Sequence, residues 1–372
     1  MRLSLLLIAT ASLVGCYATD ANRAGPWATT DTGLTTDSWI WDTGPTDTTD
    51  PTDTDPDPDF DDRCLEEVSS SWVADLTKRG MEDRDPDGHS DFAYRVELAM
   101  PDGDDVDAES TPLFRPNVNW TFSVGFPEGM SSIVEDGQAE VCHVFATRAS
   151  MYFGLIFHSG TVWACAGGAG GTPDSPDEQH EKPLYSGIDL GLDTAPAFFQ
   201  GPGRLFVAGY HEPGSDMQEL HFWLSYGDST GTRGQTTVAL SYDLAHAASS
   251  PTYLFGAPPY EEAQSGGLSD DEQVVAGYSG LTTPYAVVDN LMVFNRALTT
   301  TEMEIAGRVR EGTEYEIEEI KESISHWLTL GEDIWPEVSD CKESVDASFE
   351  VGPAGNEEGK VYREYMPEQG PE

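Results

Sequence analysis

The chain has 372 residues, enough for one substantial domain with appended segments. It carries 67 acidic against 19 basic side chains, a net charge of -48. It therefore lacks the Lys and Arg clusters that hold a phosphate backbone, which excludes nucleic-acid binding and leaves cations or neutral surfaces such as glycans as fitting partners.

Behind Met1 and Arg2, residues 3–14 form an apolar run too short to cross a bilayer, which takes about 20 such residues, but of the length of a secretory signal's core. The run ends in Leu13-Val14-Gly15-Cys16. That ending resembles the lipobox of bacterial lipoproteins, and the resemblance implies that residues 1–15 are removed and that Cys16 is lipidated and acylated. Stable anchoring takes more than one lipid chain, which a multiply acylated cysteine supplies, so the mature protein is expected on a membrane without spanning it. The alternative is an ordinary signal peptide with an incidental cysteine; the segment is removed on either reading. Tyr17 stands where, under the familiar sorting rule, an Asp would retain a lipoprotein in the inner membrane, which points to the outer membrane of a bacterial envelope.

Residues 16–62 are mostly Thr, Asp, Pro and Gly with few aliphatic side chains. Such a segment cannot bury enough apolar area to offset its ordering entropy, so it reads as a disordered, self-repelling tether. As a coil of about 46 residues it spans about 40 Å, and fully extended about 140 Å. A second acidic run, from Asp83 to Asp91, places Asp83, Asp85, Asp87 and Asp91 around Gly88. It resembles the opening of an EF-hand or thrombospondin type 3 loop, which implies Ca2+ as a cofactor, although Tyr94 stands where such loops carry a bidentate Glu.

From there to about residue 300 the chain reads as short strands between Gly, Pro, Asp and Ser loops. Strands are expected at residues 120–126, 140–146, 151–158, 161–166, 204–210, 219–226, 235–242 and 253–255, from period-two alternation or short apolar runs. This pattern means a sandwich or jelly roll. Next comes an apolar strand, residues 286–294, a polar corner, then Thr299 and Glu302 spaced as a capping box for a short helix. The Asn295-Arg296-Ala297-Leu298 corner behind Asp289 resembles the terminal strand and helix of the LamG-like jelly roll, in the concanavalin A-like lectin/glucanase superfamily. The resemblance covers residues 110–307, without the Trp-His pair usual in the family's central strand. It implies an all-β, antiparallel jelly-roll sandwich of two sheets over residues 63–310, and a role for Asp289 at the start of its strand. Residues 311–350 are expected as a short helical extension, with Ile317, Ile320, Ile324, Trp327 and Leu328 on one face, and residues 351–372 as a loose tail.

With Cys16 lipidated, Cys64, Cys142, Cys165 and Cys341 remain, an even number in an exported chain. Joining Cys64 to Cys341 ties the ends of the folded region together, worth roughly 5 kcal/mol on the chain-entropy model. That leaves Cys142 with Cys165. If their strands flank a third in a simple meander, however, the two lie about 9.6 Å apart, beyond the roughly 7 Å that a disulfide tolerates. The meander and the pairing are in conflict at this stage.

The Glu-x-Asp-x-x-Glu strand motif of the superfamily's glycosidases is absent from these strands, and with it the paired carboxylates of glycoside hydrolysis. Gly227-Asp228-Ser229-Thr230-Gly231 suits a turn better than a nucleophile, and the glycines of residues 166–171 open no helix that would cradle a phosphate. His211, Glu212 and His221 match no zinc spacing. Trp163, Trp223 and Tyr226 are candidates for stacking on sugars, against the alternative that they fill the core. The sequence thus reads as a monomeric, non-catalytic, lipid-anchored binding or adhesion module for a glycan or protein, assisted by calcium. A divergent polysaccharide hydrolase and a structural envelope lipoprotein are the alternatives.

Overall fold

A computed structural model describes residues 72–77, 92–98, 111–115, 117–131, 141–149, 151–158, 161–167, 184–188, 198–200, 202–211, 217–226, 232–241, 251–256, 281–307, 320–330, 337–338, 340–341, 347–351 and 361–364. All of them fall in one unit spanning residues 55–372. Cys16, Cys64, the tether and the acidic run from Asp83 to Asp91 lie outside the described residues.

In chain order the strands begin with β1 (Trp72–Asp75), β2 (Tyr94–Leu98), β3 (Trp120–Phe126), β4 (Gly129–Ser131), β5 (Cys142–Arg148), β6 (Met151–His158) and β7 (Thr161–Gly167). They continue with β8 (Leu184–Ile188), β9 (Phe198–Gln200), β10 (Gly203–His211), β11 (Met217–Tyr226), β12 (Thr232–Ser241) and β13 (Thr252–Leu254). After β14 (Leu281–Thr282) and β15 (Val287–Phe294) comes a helix, α1 (Thr300–Gly307), then β16 (Ile324–Leu328), β17 (Glu337–Val338), β18 (Ala347–Val351) and β19 (Tyr362–Glu364).

Two large sheets result. The first runs β12-β11-β10-β3-β15-β1-β19, with β16 also on β15; the second runs β17-β18-β2-β13-β5-β6-β7-β8, with β14 parallel to β5. β4 and β9 form a separate ribbon. Apart from β14 the pairings are antiparallel, so the all-β, two-sheet expectation holds. Alternate residues explain the packing: Trp120, Phe122 and Val124 on β3, Leu205 and Val207 on β10, and Leu220, Phe222 and Leu224 on β11 face Phe145, Phe153 and Leu155 of the second sheet in one core. Phe153 alone meets Phe114, Trp120, Phe122 and Phe222 at ring-centroid distances of 5.2–6.3 Å.

The C-terminal region departs from expectation. Ile324–Leu328 is a strand antiparallel to β15, with Leu291 opposite Leu328 and Met292 opposite Trp327. A helix would put Trp327 and Leu328 on one stripe, whereas the strand sends Trp327 to an outer cluster with Phe206 and Phe294, and Leu328 into the main core. The second half of β15 gains a hydrogen-bonded neighbour in this way. Within the expected helical extension 337–338 is also strand, and 347–351 is a strand that runs from it into the expected tail, where Tyr362–Glu364 pairs with β1 and Val361 is buried.

The cysteine conflict resolves in favour of both readings. β6 does lie between β5 and β7, yet Cys142 and Cys165 are disulfide-bonded with α-carbons 6.2 Å apart. Two features close the gap. The β5–β6 register slips between Val144 and Ala146, a bulge that tilts the start of β5. Gly154, opposite Cys165, has no Cβ; one built there would lie 2.2 Å from the His143 carbonyl oxygen and 2.8 Å from the Cys142 sulfur. The bridge therefore passes over β6 where β6 has no side chain. Cys341 is disulfide-bonded as well, to a partner outside the described residues.

Gly154→Ala is expected to destabilise the fold by at least about 3 kcal/mol, the upper end of overpacking costs, because the new methyl meets backbone that cannot rotate away. Gly187→Ala, whose Cβ would meet the Trp163 ring at 3.6 Å, an ordinary contact, is expected to change stability little. Urea denaturation of both variants checks the contrast.

Candidate binding surface

The outer face of the first sheet is built from the residues that alternate with its core positions. Strand register aligns them in rows: Ser123, Phe206, Trp223 and Gln235 form one row across β3, β10, β11 and β12, and Thr121, Ala208, His221 and Thr237 the next. Tyr210, Glu219 and Ala239 form a third.

α1 covers part of this face. Leu298, Met303 and Ala306 pack with Phe206, Ala208 and Phe294. The Thr121 hydroxyl ties the corner before the helix to β3, donating to the Arg296 carbonyl at 3.0 Å and accepting the Leu298 N–H at 2.9 Å. The capping box forms as expected: the Thr299 N–H donates to Glu302 Oε2 at 2.7 Å, and the Glu302 N–H donates to Thr299 Oγ1 at 3.4 Å. Arg296 adds a bidentate pair to the same carboxylate, at 2.9 and 2.6 Å. These donors hold the Glu302 carboxyl down at about 2, Arg296 most of all.

Beside the helix, over β11 and β12, Tyr210, His221 and Trp223 are half-buried while Glu219, Gln235 and Thr237 are exposed. The Tyr210 and His221 rings meet edge to face at 4.6 Å, and His221 Nε2 lies 3.3 Å from Glu219 Oε2. Burial raises the Tyr210 phenol above its ordinary value, so it stays neutral and keeps its proton at physiological pH. This surface presents aromatic side chains bordered by an amide, a hydroxyl and one carboxylate, a chemistry suited to a polyhydroxylated neutral ligand.

Beneath the surface lies a buried polar seam. Arg204 donates from NH1 to the Ser123 hydroxyl at 2.7 Å and to the Asn290 carbonyl at 3.4 Å. β15 slips register against β3 between Asp289 and Met292, and within that bulge Asn290 adopts φ +47°, a conformation that asparagine tolerates better than most residues. The Asn290 amide donates to Asp289 Oδ2 at 3.3 Å, and Trp327 Nε1 donates to Asn290 Oδ1 at 3.4 Å. The Trp327 N–H then donates to Asp340 Oδ1 at 3.0 Å, and Asp340 Oδ2 lies 3.2 Å from His326 Nδ1. Asp289 thus sits in a bulge that holds strands together.

The structure separates the residues proposed for sugar stacking. Trp223 is on β11 of the first sheet; Trp163 is on β7 of the second, in an outer cluster with Tyr152, Ile156 and the Cys142–Cys165 bridge. The two serve no common site. Tyr226 ends β11 opposite Gly203 and Thr232. His211 and His221 do not converge either: His221 touches Tyr210 on the outer face, and strand alternation directs His211, the next residue, to the opposite one. Glu212, residues 168–171 and residues 227–231 lie outside the described residues. Among the described residues no cluster of three His, Cys, Asp or Glu is placed to hold a metal, and no helix is long and apolar enough to cross a membrane. Tyr210 and Arg204 were not singled out from sequence, although the alternations Arg204-x-Phe206-x-Ala208-x-Tyr210 and Glu219-x-His221-x-Trp223 carry the signal.

Compared with known proteins, the sequence matches no family model, and no curated protein matches it.

A carboxyl held below its ordinary value of 4.5 stabilises the fold above that value and loses the contribution as pH falls toward about 2. Glu302→Gln is expected to cost about 1 kcal/mol at neutral pH, the worth of a helix cap, and to flatten the acid limb of the stability profile. Urea melts of the parent and the variant at pH 7 and at pH 3 check both; an acid limb unchanged by the substitution would contradict the assignment.

Proposed function

We propose that the chain is a lipid-anchored protein of the bacterial outer membrane that displays a non-catalytic, LamG-like jelly-roll domain for binding a neutral glycan. The observation that carries this reading is the cluster of half-buried Tyr210, His221 and Trp223, one in each of three adjacent rows of the first sheet, edged by the exposed Gln235, Thr237 and Glu219. Aromatic faces stack on the apolar faces of sugar rings, and the flanking amide, hydroxyl and carboxylate answer the hydroxyls. A chain of net charge -48 repels anionic polymers and leaves neutral ones as ligands. The lipidated Cys16 and the acidic tether of residues 16–62 set the domain at a distance from the lipid surface, and Ca2+ held by Asp83, Asp85, Asp87 and Asp91 assists it.

The test is a glycan array with and without chelator. Binding to at least one neutral glycan is expected, weakened about tenfold by Trp223→Ala, the scale of one lost aromatic contact, and unaffected by Trp163→Ala. Silence on every glycan would sink the lectin reading, and indifference to chelator would remove the calcium. For the anchor, Cys16→Ser is expected to abolish incorporation of labelled palmitate; label retained in that variant would exclude lipidation at this residue.

A further inference from the structure

The three half-buried side chains of the candidate surface do not lie side by side. Trp223 stands in the row of Phe206 and Gln235, His221 in the row of Ala208 and Thr237, and Tyr210 in the row of Glu219 and Ala239. A strand rises about 3.4 Å per residue and neighbouring strands lie about 4.8 Å apart, so Tyr210 and Trp223, two rows and one strand from each other, are separated by about 14 Å between α-carbons. The ground between them is open to solvent. Gln235, Thr237 and Ala239 are exposed at successive outward positions of β12, and on β11 the side chains of His221 and Glu219 are 32% and 61% exposed. On the other side, Phe206 and Ala208 of β10 are buried in the cluster that α1 forms with the sheet. The open ground is therefore a strip along β11 and β12 beside the helix, with Trp223 toward one end and Tyr210 toward the other.

We infer that this strip takes a linear neutral oligosaccharide longer than a disaccharide, laid along β11 so that one sugar ring meets Trp223, a later ring meets Tyr210, and the chain between them passes over His221. The inference rests on the glycan reading of the same surface and adds the length and direction of the ligand. Length follows from the separation: a ring in contact with Trp223 leaves Tyr210 out of its reach, and only a chain of several units engages both. Direction follows from the cover, since the helix closes β10 at Phe206 and Ala208 and leaves Tyr210 half-buried. Neutrality follows from Glu219, the cross-strand neighbour of both Tyr210 and Ala239, whose exposed carboxylate repels an acidic unit at that end. The middle of the strip is tied to the same end: the His221 ring meets the Tyr210 ring at 4.6 Å, and its Nε2 lies 3.3 Å from Glu219 Oε2. Two modest aromatic contacts reinforce each other when a single chain engages both.

Titration calorimetry of the full chain in detergent, with cello-, malto-, xylo-, manno- and chito-oligosaccharides from the monosaccharide to the hexasaccharide, tests this. In the series that binds, affinity is expected to rise about tenfold or more from the disaccharide to the hexasaccharide. Trp223→Ala and Tyr210→Ala are each expected to weaken the hexasaccharide about tenfold, and their effects to multiply in the double variant, because sites more than about 10 Å apart without shared partners act independently. A disaccharide is expected to respond to one of the two at most. Both side chains are half-buried, so near-ultraviolet circular dichroism is the folding control, and Ala239→Lys is a variant at an exposed position. Its ammonium pairs with Glu219 directly across the strands, which favours the fold, and its stem covers the Tyr210 end of the strip, so it is expected to remove the gain with length. Affinity that is flat from the disaccharide to the hexasaccharide overturns the inference and leaves the glycan reading standing. So does a gain with length that Ala239→Lys and a folded Tyr210→Ala both leave intact. Silence in every series overturns the two together.

Discussion

The first sheet is organised around one buried guanidinium. Arg204 is 7% exposed at the crossing of β10, β3 and β15. A charge in so dry a place costs several kcal/mol unless it is paired and hydrogen-bonded, so the surroundings must bring acceptors to it. Ser123 supplies one from β3 and the Asn290 carbonyl another from β15. The second is within reach because β15 bulges there and Asn290 takes a positive φ, and Gly125 leaves room: a Cβ on it would stand 3.2 Å from both Arg204 NH2 and the Asp289 carbonyl oxygen. Ser123, Gly125, Arg204 and Asn290 are thus packed as one unit, in which Ser123 and Asn290 each supply an acceptor and Gly125 the room.

The bulge also determines what lies beside β15. Before it, Val287 and Val288 pair with β1; after it, Leu291 through Phe294 pair with β16. Asn290 reaches Trp327, Trp327 reaches Asp340, and Asp340 reaches His326, so the polar seam that begins at Arg204 continues into the C-terminal segment and docks it on the sheet. Trp327, Ile324 and Ile320 then share the outer cluster with Leu298 and Met303 next to α1. This cover explains why β3 and β15 are buried on both faces while β11 and β12 present Trp223, His221 and Gln235 outward. The candidate ligand surface is the part of the sheet that the helix and the C-terminal strand leave uncovered.

The second sheet applies the same device with different chemistry. Its outer face carries a small apolar cluster, Phe92, Val144, Tyr152, Ile156 and Leu281, around the Cys142–Cys165 bridge. The missing side chain of Gly154 lets the bridge cross a strand, whereas a Cβ on Gly187 would only rest against the Trp163 ring at 3.6 Å.

The sequence by itself determined the local elements, because their causes are local. Period-two alternation at Trp120–Phe126, the apolar run Met151–His158 and the Thr299/Glu302 box each act between residues a few positions apart, and each appears where the pattern puts it. The outward alternation that builds the Tyr210–Trp223 surface was equally present, but alternation does not say which of two faces meets water. The tertiary structure alone decided the rest, because sheet membership, register and cover are pairings between distant residues. Ile324–Leu328 suited a helical stripe until β15 needed a neighbour. Trp163 and Trp223 looked equivalent until their strands joined different sheets. The Cys142–Cys165 pairing conflicted with the meander until a bulge and a glycine removed the third dimension of the obstacle, which no one-dimensional spacing contains.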